Sequence, residues 1–166
     1  MHISNTMKKS RLLAQFITTG KLAHLQIGMA WEERKGWLVS THTHKNGEPS
    51  LYKGELEGIA VNVSVTPDKK IEAFTIYLHD QKGRHIIKQS GKKLSLKQIK
   101  VDQMAAFLNK REINWRFKIA MDKIVFFEMP ELGVELLFSY FPKEKNHGLI
   151  TIQTWFDKDN LPEWRR

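Results

Sequence analysis

Gly58-Ile59-Ala60-Val61-Asn62-Val63-Ser64-Val65-Thr66-Pro67-Asp68-Lys69-Lys70-Ile71-Glu72-Ala73-Phe74-Thr75-Ile76-Tyr77-Leu78 is the stretch that decides the fold class. Ile59, Val61, Val63 and Val65 alternate with Ala60, Asn62, Ser64 and Thr66, and that period of two places the branched side chains on one face of a strand. Pro67-Asp68-Lys69-Lys70 interrupts the run with turn chemistry before a second apolar segment begins at Ile71. The stretch therefore predicts a β-hairpin with one buried face. Leu51 to Leu56 supplies a preceding strand that turns at Glu57-Gly58.

Upstream the period changes. Leu12, Leu13, Phe16 and Ile17 share one helical face, with Ser10 as the expected N-cap and Gly20 as the stop. Ile27 to Leu38 is expected to form a second helical segment ending between Gly36 and Ser40, because Trp31 and Leu38 are seven residues apart. Thr41 to Pro49 is polar and turn-rich.

Downstream the plan recurs. Ile99, Val101, Met104, Ala105, Phe107 and Leu108 predict a helix over about 99–110, with Asp102 near its start. Asn114 to Ile119, Lys123 to Glu128, Gly133 to Phe141 and Leu149 to Phe156 predict a meander of three to four strands. Gly58, Ser64 and Pro67 stand 75 positions before Gly133, Ser139 and Pro142, and Tyr77-Leu78 stands 78 before Trp155-Phe156. This offset points to an internal repeat, 10–80 and 95–157, joined by a basic connector 81–95. Two unrelated hairpins sharing turn glycine and proline would give the same match. The expected architecture is one α+β domain over 1–166, antiparallel meanders with a few short helices, the two halves forming one body.

Charge narrows the partners. Lys and Arg number 27 against 18 Asp and Glu, a net charge of +9 that favours an anionic partner: nucleic acid, an acidic protein face or membrane phosphate. Seven of these cations (Lys82, Arg84, Lys88, Lys92, Lys93, Lys97 and Lys100) lie between Gln81 and Val101 with no acidic residue among them. A solvated basic surface connector is the plainer explanation of such a run. The absence of cysteine excludes disulfides, thiolate nucleophiles and Cys-containing zinc sites. No signal-peptide pattern is read, and charge breaks every apolar stretch well short of the roughly 20 residues a spanning helix needs, so a cytoplasmic protein without membrane contact is expected.

Motifs for chemistry are sparse. His42 and His44 would share a face if extended, with Glu48 or Glu55 as a third metal ligand, yet no zinc-protease or calcium-loop spacing accompanies them. Glu55 and Glu57 share a strand face, which an ordinary solvent-facing strand also explains. There is no nucleophile elbow, dinucleotide-binding loop or phosphate-binding loop. No catalytic residue, metal or cofactor is expected. Of the five tryptophans, Trp115 and Trp155 read as core, while Trp31, Trp37 and Trp164 are candidate binding anchors.

Leu25-Gln26-Ile27-Gly28-Met29-Ala30-Trp31-Glu32-Glu33, followed by a loop bearing Gly and Pro, then Tyr52 to Glu57 and the hairpin Gly58 to Leu78, resembles small bacterial α+β immunity proteins of polymorphic-toxin and contact-dependent inhibition systems. The chain lacks the Gly-x-Pro that such proteins carry after the helix. The resemblance implies a non-enzymatic protein that neutralises a cognate toxin by direct binding, and transfers no catalytic residue. Partner contacts are expected at Lys88, Lys92, Lys93, Lys97 and Lys100, at the acidic cluster Glu128, Glu131 and Glu135, and at Trp164 in the tail. Charge reversal at the glutamates or lysines is expected to weaken binding without unfolding. The alternative is a nucleic-acid-binding module using 82–100 with Arg111, Arg116 and Lys118.

Overall fold

The structure is a computed structural model that describes residues 5–39, 49–141 and 147–154. It is mostly antiparallel β-sheet with two α-helices. Helix α1 spans Asn5–Thr19 and buries Leu13, Phe16 and Ile17 completely, as their spacing requires. Gly20, at φ 70°, closes it by donating its N–H to the Phe16 carbonyl at 2.9 Å. The helix starts earlier than expected, so Ser10 is not its N-cap. The Ser10 hydroxyl instead accepts the backbone N–H of Ile86 at 3.0 Å.

The expected second helix is absent. Gly28 and Gly36 adopt φ of 85° and 86°, outside the helical region, and the backbone between them bonds laterally: Gly28 to the Ile71 carbonyl, Ile71 to Met29 and Trp31 to Lys69. Trp31 is buried against Trp37 and Tyr52, with ring centroids 5.1 Å away in each case, while Leu38 is 71% exposed. The two residues therefore share no face. Leu38–Val39 forms a short strand, β1.

Strands β2 (Ser50–Leu56), β3 (Ile59–Val65) and β4 (Ile71–Tyr77) follow as a meander. Glu57 (φ 49°) and Gly58 (φ 83°) make the two-residue turn between β2 and β3, whose mirror-image geometry matches strand twist. The residues read as a connector are not a linker. Ile86–Gln89 (β5) and Lys92–Ser95 (β6) pair as a separate two-stranded hairpin, turned by Ser90 (φ 48°) and Gly91 (φ 76°). Helix α2, Val101–Asn109, buries Met104, Phe107 and Leu108, and the Gln103 side chain accepts the Lys100 N–H at 2.9 Å. Strands β7 (Arg116–Met121), β8 (Ile124–Met129), β9 (Val134–Ser139) and β10 (Gly148–Thr154) complete the chain.

Both meanders lie in one eight-stranded sheet of order β1-β2-β3-β4-β10-β9-β8-β7, every neighbouring pair antiparallel. The order reads as a mirror about the β4–β10 seam, where Tyr77, Ile76 and Thr75 face Thr151, Ile152 and Gln153. Thr154 locks the seam: its hydroxyl accepts the Phe74 N–H at 2.6 Å and lies 3.3 Å from the Phe74 carbonyl. One continuous core runs from α1 through both meanders to α2, with Phe16 meeting Phe74 edge-on at 5.9 Å. Pro142, Trp155 and Phe156, which the 75- and 78-residue offsets also match, lie outside the described residues.

Candidate anion-binding cleft

The β5–β6 hairpin carries the densest part of the cationic run, and two contacts fix where it sits. Ser10 of α1 holds the Ile86 N–H and Ile87 is buried in the core, while the Leu96 N–H, donated to the His85 carbonyl at 2.8 Å, extends the hairpin's own ladder. The hairpin thus lies beside α1 and over α2, and between the three elements is a cavity of about 450 Å³. Its apolar surface comes from Met7, Ala14 and Ile86, with the buried Ile87 and Phe107 beneath them. Its rim carries Arg11, Arg84, Lys88, Lys93 and Arg111, all exposed, and no Asp or Glu among the described residues lines it.

The rim charges stand unneutralised. None of the five pairs with a carboxylate among the described residues. Lys88 and Lys93 are directly opposite each other in the hairpin register, a like-charge juxtaposition that costs stability. Arg111 is held in place by its own helix: the guanidinium lies 3.7 Å from the Phe107 ring centroid and donates to the Phe107 carbonyl at 3.2 Å. His85, between Arg84 and Ile86 in the chain, is fully buried. Burial first, then the charges of Lys97 and Lys9, hold its pKa below the usual imidazole value, against an opposing pull from the Lys82 backbone.

The expected partner residues are dispersed by the fold. Lys88 and Lys93 reach the cleft, and Lys92 is exposed beside them near the hairpin turn, opposite Gln89. Lys97 is structural, its ammonium donating to the Gln81 carbonyl at 2.9 Å while the Gln81 amide clamps the Ala60 backbone. Lys100 sits at the entrance to α2. Trp164, His42, His44 and Glu48 lie outside the described residues.

Glu128 and Glu135 do not form an exposed acidic face with Glu131. They are cross-strand neighbours on β8 and β9, each buried to 3% side-chain exposure, with Arg116 from β7 on Glu128 and Lys118 from β7 on Glu135 at 2.7 Å. Gln153 donates to the second Glu135 oxygen at 2.8 Å. Charge reversal at either buried glutamate would therefore attack the fold before any interface. Glu131 alone of the three is exposed, and it accepts the Asn114 amide at 2.7 Å. Arg116 and Lys118 are committed to these carboxylates, which separates them from Arg111 at the cleft. Glu57 is engaged as well: Lys8 bonds it at 2.7 Å and thereby lowers its pKa, while Glu55 is exposed on β2.

Sequence reasoning missed Arg11 and placed Arg111 in a different set. Only the docking of α1 on the hairpin and α2 brings them together, and no local pattern encodes that. Trp31 is core; Trp37 and Trp115 are partly buried, Trp115 stacked on Phe127 with centroids 4.7 Å apart. Among the described residues no helix is long and apolar enough to cross a membrane, and no group of three or more His, Asp or Glu is placed to hold a metal ion. Comparison of the chain with protein-family models, with curated proteins and with solved structures finds no match.

Proposed function

We propose that this is a non-enzymatic binding protein of the immunity type, which neutralises a cognate bacterial toxin by docking an acidic toxin surface on the cationic cleft. The observation that carries this reading is the set of five cations lining the cleft beside apolar surface, none of them paired with a carboxylate among the described residues. Charge of one sign steers an opposite surface to the site, and the apolar wall gives that surface an anchor point. Among the described residues the rim carries no exposed aromatic side chain on which bases would stack, which favours a protein over a nucleic-acid partner. A cytoplasmic location follows from this reading, since an inhibitor of this kind guards the cell that makes the toxin.

The reading extends to the chain's architecture. The two halves are copies of one helix-plus-meander unit, supported by the mirrored strand order and by Gly58 and Gly133, 75 positions apart, both at positive φ ahead of β3 and β9. The β5–β6 hairpin lies outside that mirrored sheet, so the element richest in unpaired charge is the one the repeat does not account for.

The test uses the tagged protein and a K88E/K93E variant to capture partners from native lysate at moderate and high salt, followed by mass spectrometry and nucleic-acid staining. The expected result is one stoichiometric protein captured by the wild type and lost with the variant. Expression of that protein should arrest growth, and co-expression of the wild-type chain should relieve the arrest. Recovery of nucleic acid alone, lost at high salt, would overturn the proposal in favour of a nucleic-acid-binding module.

A further inference from the structure

We infer that the cleft between α1, the β5–β6 hairpin and α2 is also a small-molecule site for an amphiphilic organic anion. The ligand's apolar tail would lie against Met7, Ala14 and Ile86, over the buried Ile87 and Phe107, and its carboxylate would meet the cations that line the cleft. This stands independently of the toxin-binding reading, because it concerns what the cavity holds when no protein covers it.

Three observations converge on that ligand class. The volume, about 450 Å³, lies within the range of cavities that enclose a small organic molecule. The wall is apolar, so a free inorganic anion would meet only the rim and leave the cavity's interior unused. Every charged residue that lines the cleft among the described residues is a cation, so a neutral hydrocarbon would leave that charge unmet, with Lys88 and Lys93 in direct opposition. A molecule with both parts satisfies both surfaces. The carboxylate relieves the repulsion between Lys88 and Lys93, and the Arg111 guanidinium, pinned over Phe107, offers its remaining donors in a fixed geometry.

The head and tail make separable contributions, which sets the experiment. Purified full-length protein is titrated calorimetrically with dodecanoate below its micellar concentration, with dodecan-1-ol as the uncharged analogue and with inorganic phosphate as the tailless anion. Dodecanoate should bind saturably at a single class of sites, at least about tenfold more tightly than dodecan-1-ol, the loss expected when charge-assisted hydrogen bonds are removed. Phosphate at equal concentration should not displace it. The K88E/K93E variant, altered only at exposed side chains and checked by circular dichroism for an unchanged fold, should lose dodecanoate binding by about tenfold or more. Ala14→Phe, which fills the tail region, should weaken dodecanoate without changing the charge. If that variant misfolds, K88E/K93E alone decides the matter. Equal binding of dodecanoate and dodecan-1-ol would show apolar partition only, and competition by phosphate would show an anion site only. Either outcome, absence of saturable binding, or indifference to K88E/K93E would overturn the inference.

Discussion

Removing the cation from the Lys118–Glu135 pair should cost more stability than removing the anion. Glu135 is buried to 3% of its side-chain surface in the middle of the sheet, whereas Lys118, on the edge strand β7, retains 32%. In Lys118→Met the carboxylate keeps, among the described residues, the Gln153 amide alone and remains enclosed, the situation in which breaking a buried pair costs about 3–5 kcal/mol. Partial solvent access along the former lysine path places the expected loss near the lower end, about 3 kcal/mol. In Glu135→Gln the isosteric amide leaves an ammonium already near water, and the loss is that of a charge-assisted hydrogen bond, about 1.5 kcal/mol. With a urea m-value of about 2 kcal/mol/M, the unfolding midpoint should fall by about 1.5 M for Lys118→Met and about 0.7 M for Glu135→Gln. The assay is urea unfolding at pH 7, followed by both circular dichroism and tryptophan fluorescence so that coincident transitions establish two-state behaviour. The double variant Lys118→Met/Glu135→Leu should recover part of the loss, because an apolar pair leaves no buried charge. A smaller loss for Lys118→Met than for Glu135→Gln would refute the claim that desolvation of the glutamate dominates this site.

Two further predictions rest on single positions. Gly54 on β2 lies against the Trp37 indole so closely that a methyl group there would overlap the ring, and Gly54→Ala should destabilise by about 1–3 kcal/mol, with a shift in tryptophan emission checking that Trp37 is what moves. The His85 pKa is depressed below its ordinary 6.5, chiefly by burial, so the unfolded chain takes up a proton that the folded chain refuses. Stability should therefore fall as pH drops from 6.5 towards the lower folded value. Denaturant midpoints compared between pH 7.5 and 5 should show a shallower decline for His85→Leu than for the wild type; parallel profiles would remove His85 from the account.

How far each element was readable depends on where its determinants lie. The alternation of Ile59 to Val65 and the helical spacing of Met104, Phe107 and Leu108 are local, and both elements form where they are expected. The stretch 27–38 misleads because Trp31 and Leu38 match a helical interval by coincidence, while Gly28 and Gly36 divert the backbone and the freed N–H and C=O groups pair with residues 69–71. The hairpin within 82–100 had a local signal, Ser90-Gly91 after Ile86-Ile87, obscured by the weight of surrounding lysines.

Strand boundaries, hairpin turns and an excess of positive charge are properties of neighbouring residues, and they follow from side-chain period, turn chemistry and composition before any contact is considered. The seam, the cleft and the fate of the glutamates are not of that kind. A period of two assigns a residue to one face of a strand but does not say which strand will lie beside it. Pairing of β4 with β10 joins the meanders into one sheet, and pairing of β7 with β8 lays Arg116 and Lys118 over carboxylates that the chain alone presents as an acidic cluster. The cleft exists because α1, the hairpin and α2 bury apolar surface against a common core, leaving Arg11, Arg84, Lys88, Lys93 and Arg111 to line one cavity. Tertiary packing decided those positions, since burial rewards any arrangement that removes apolar surface from water and the charges follow where the helices go.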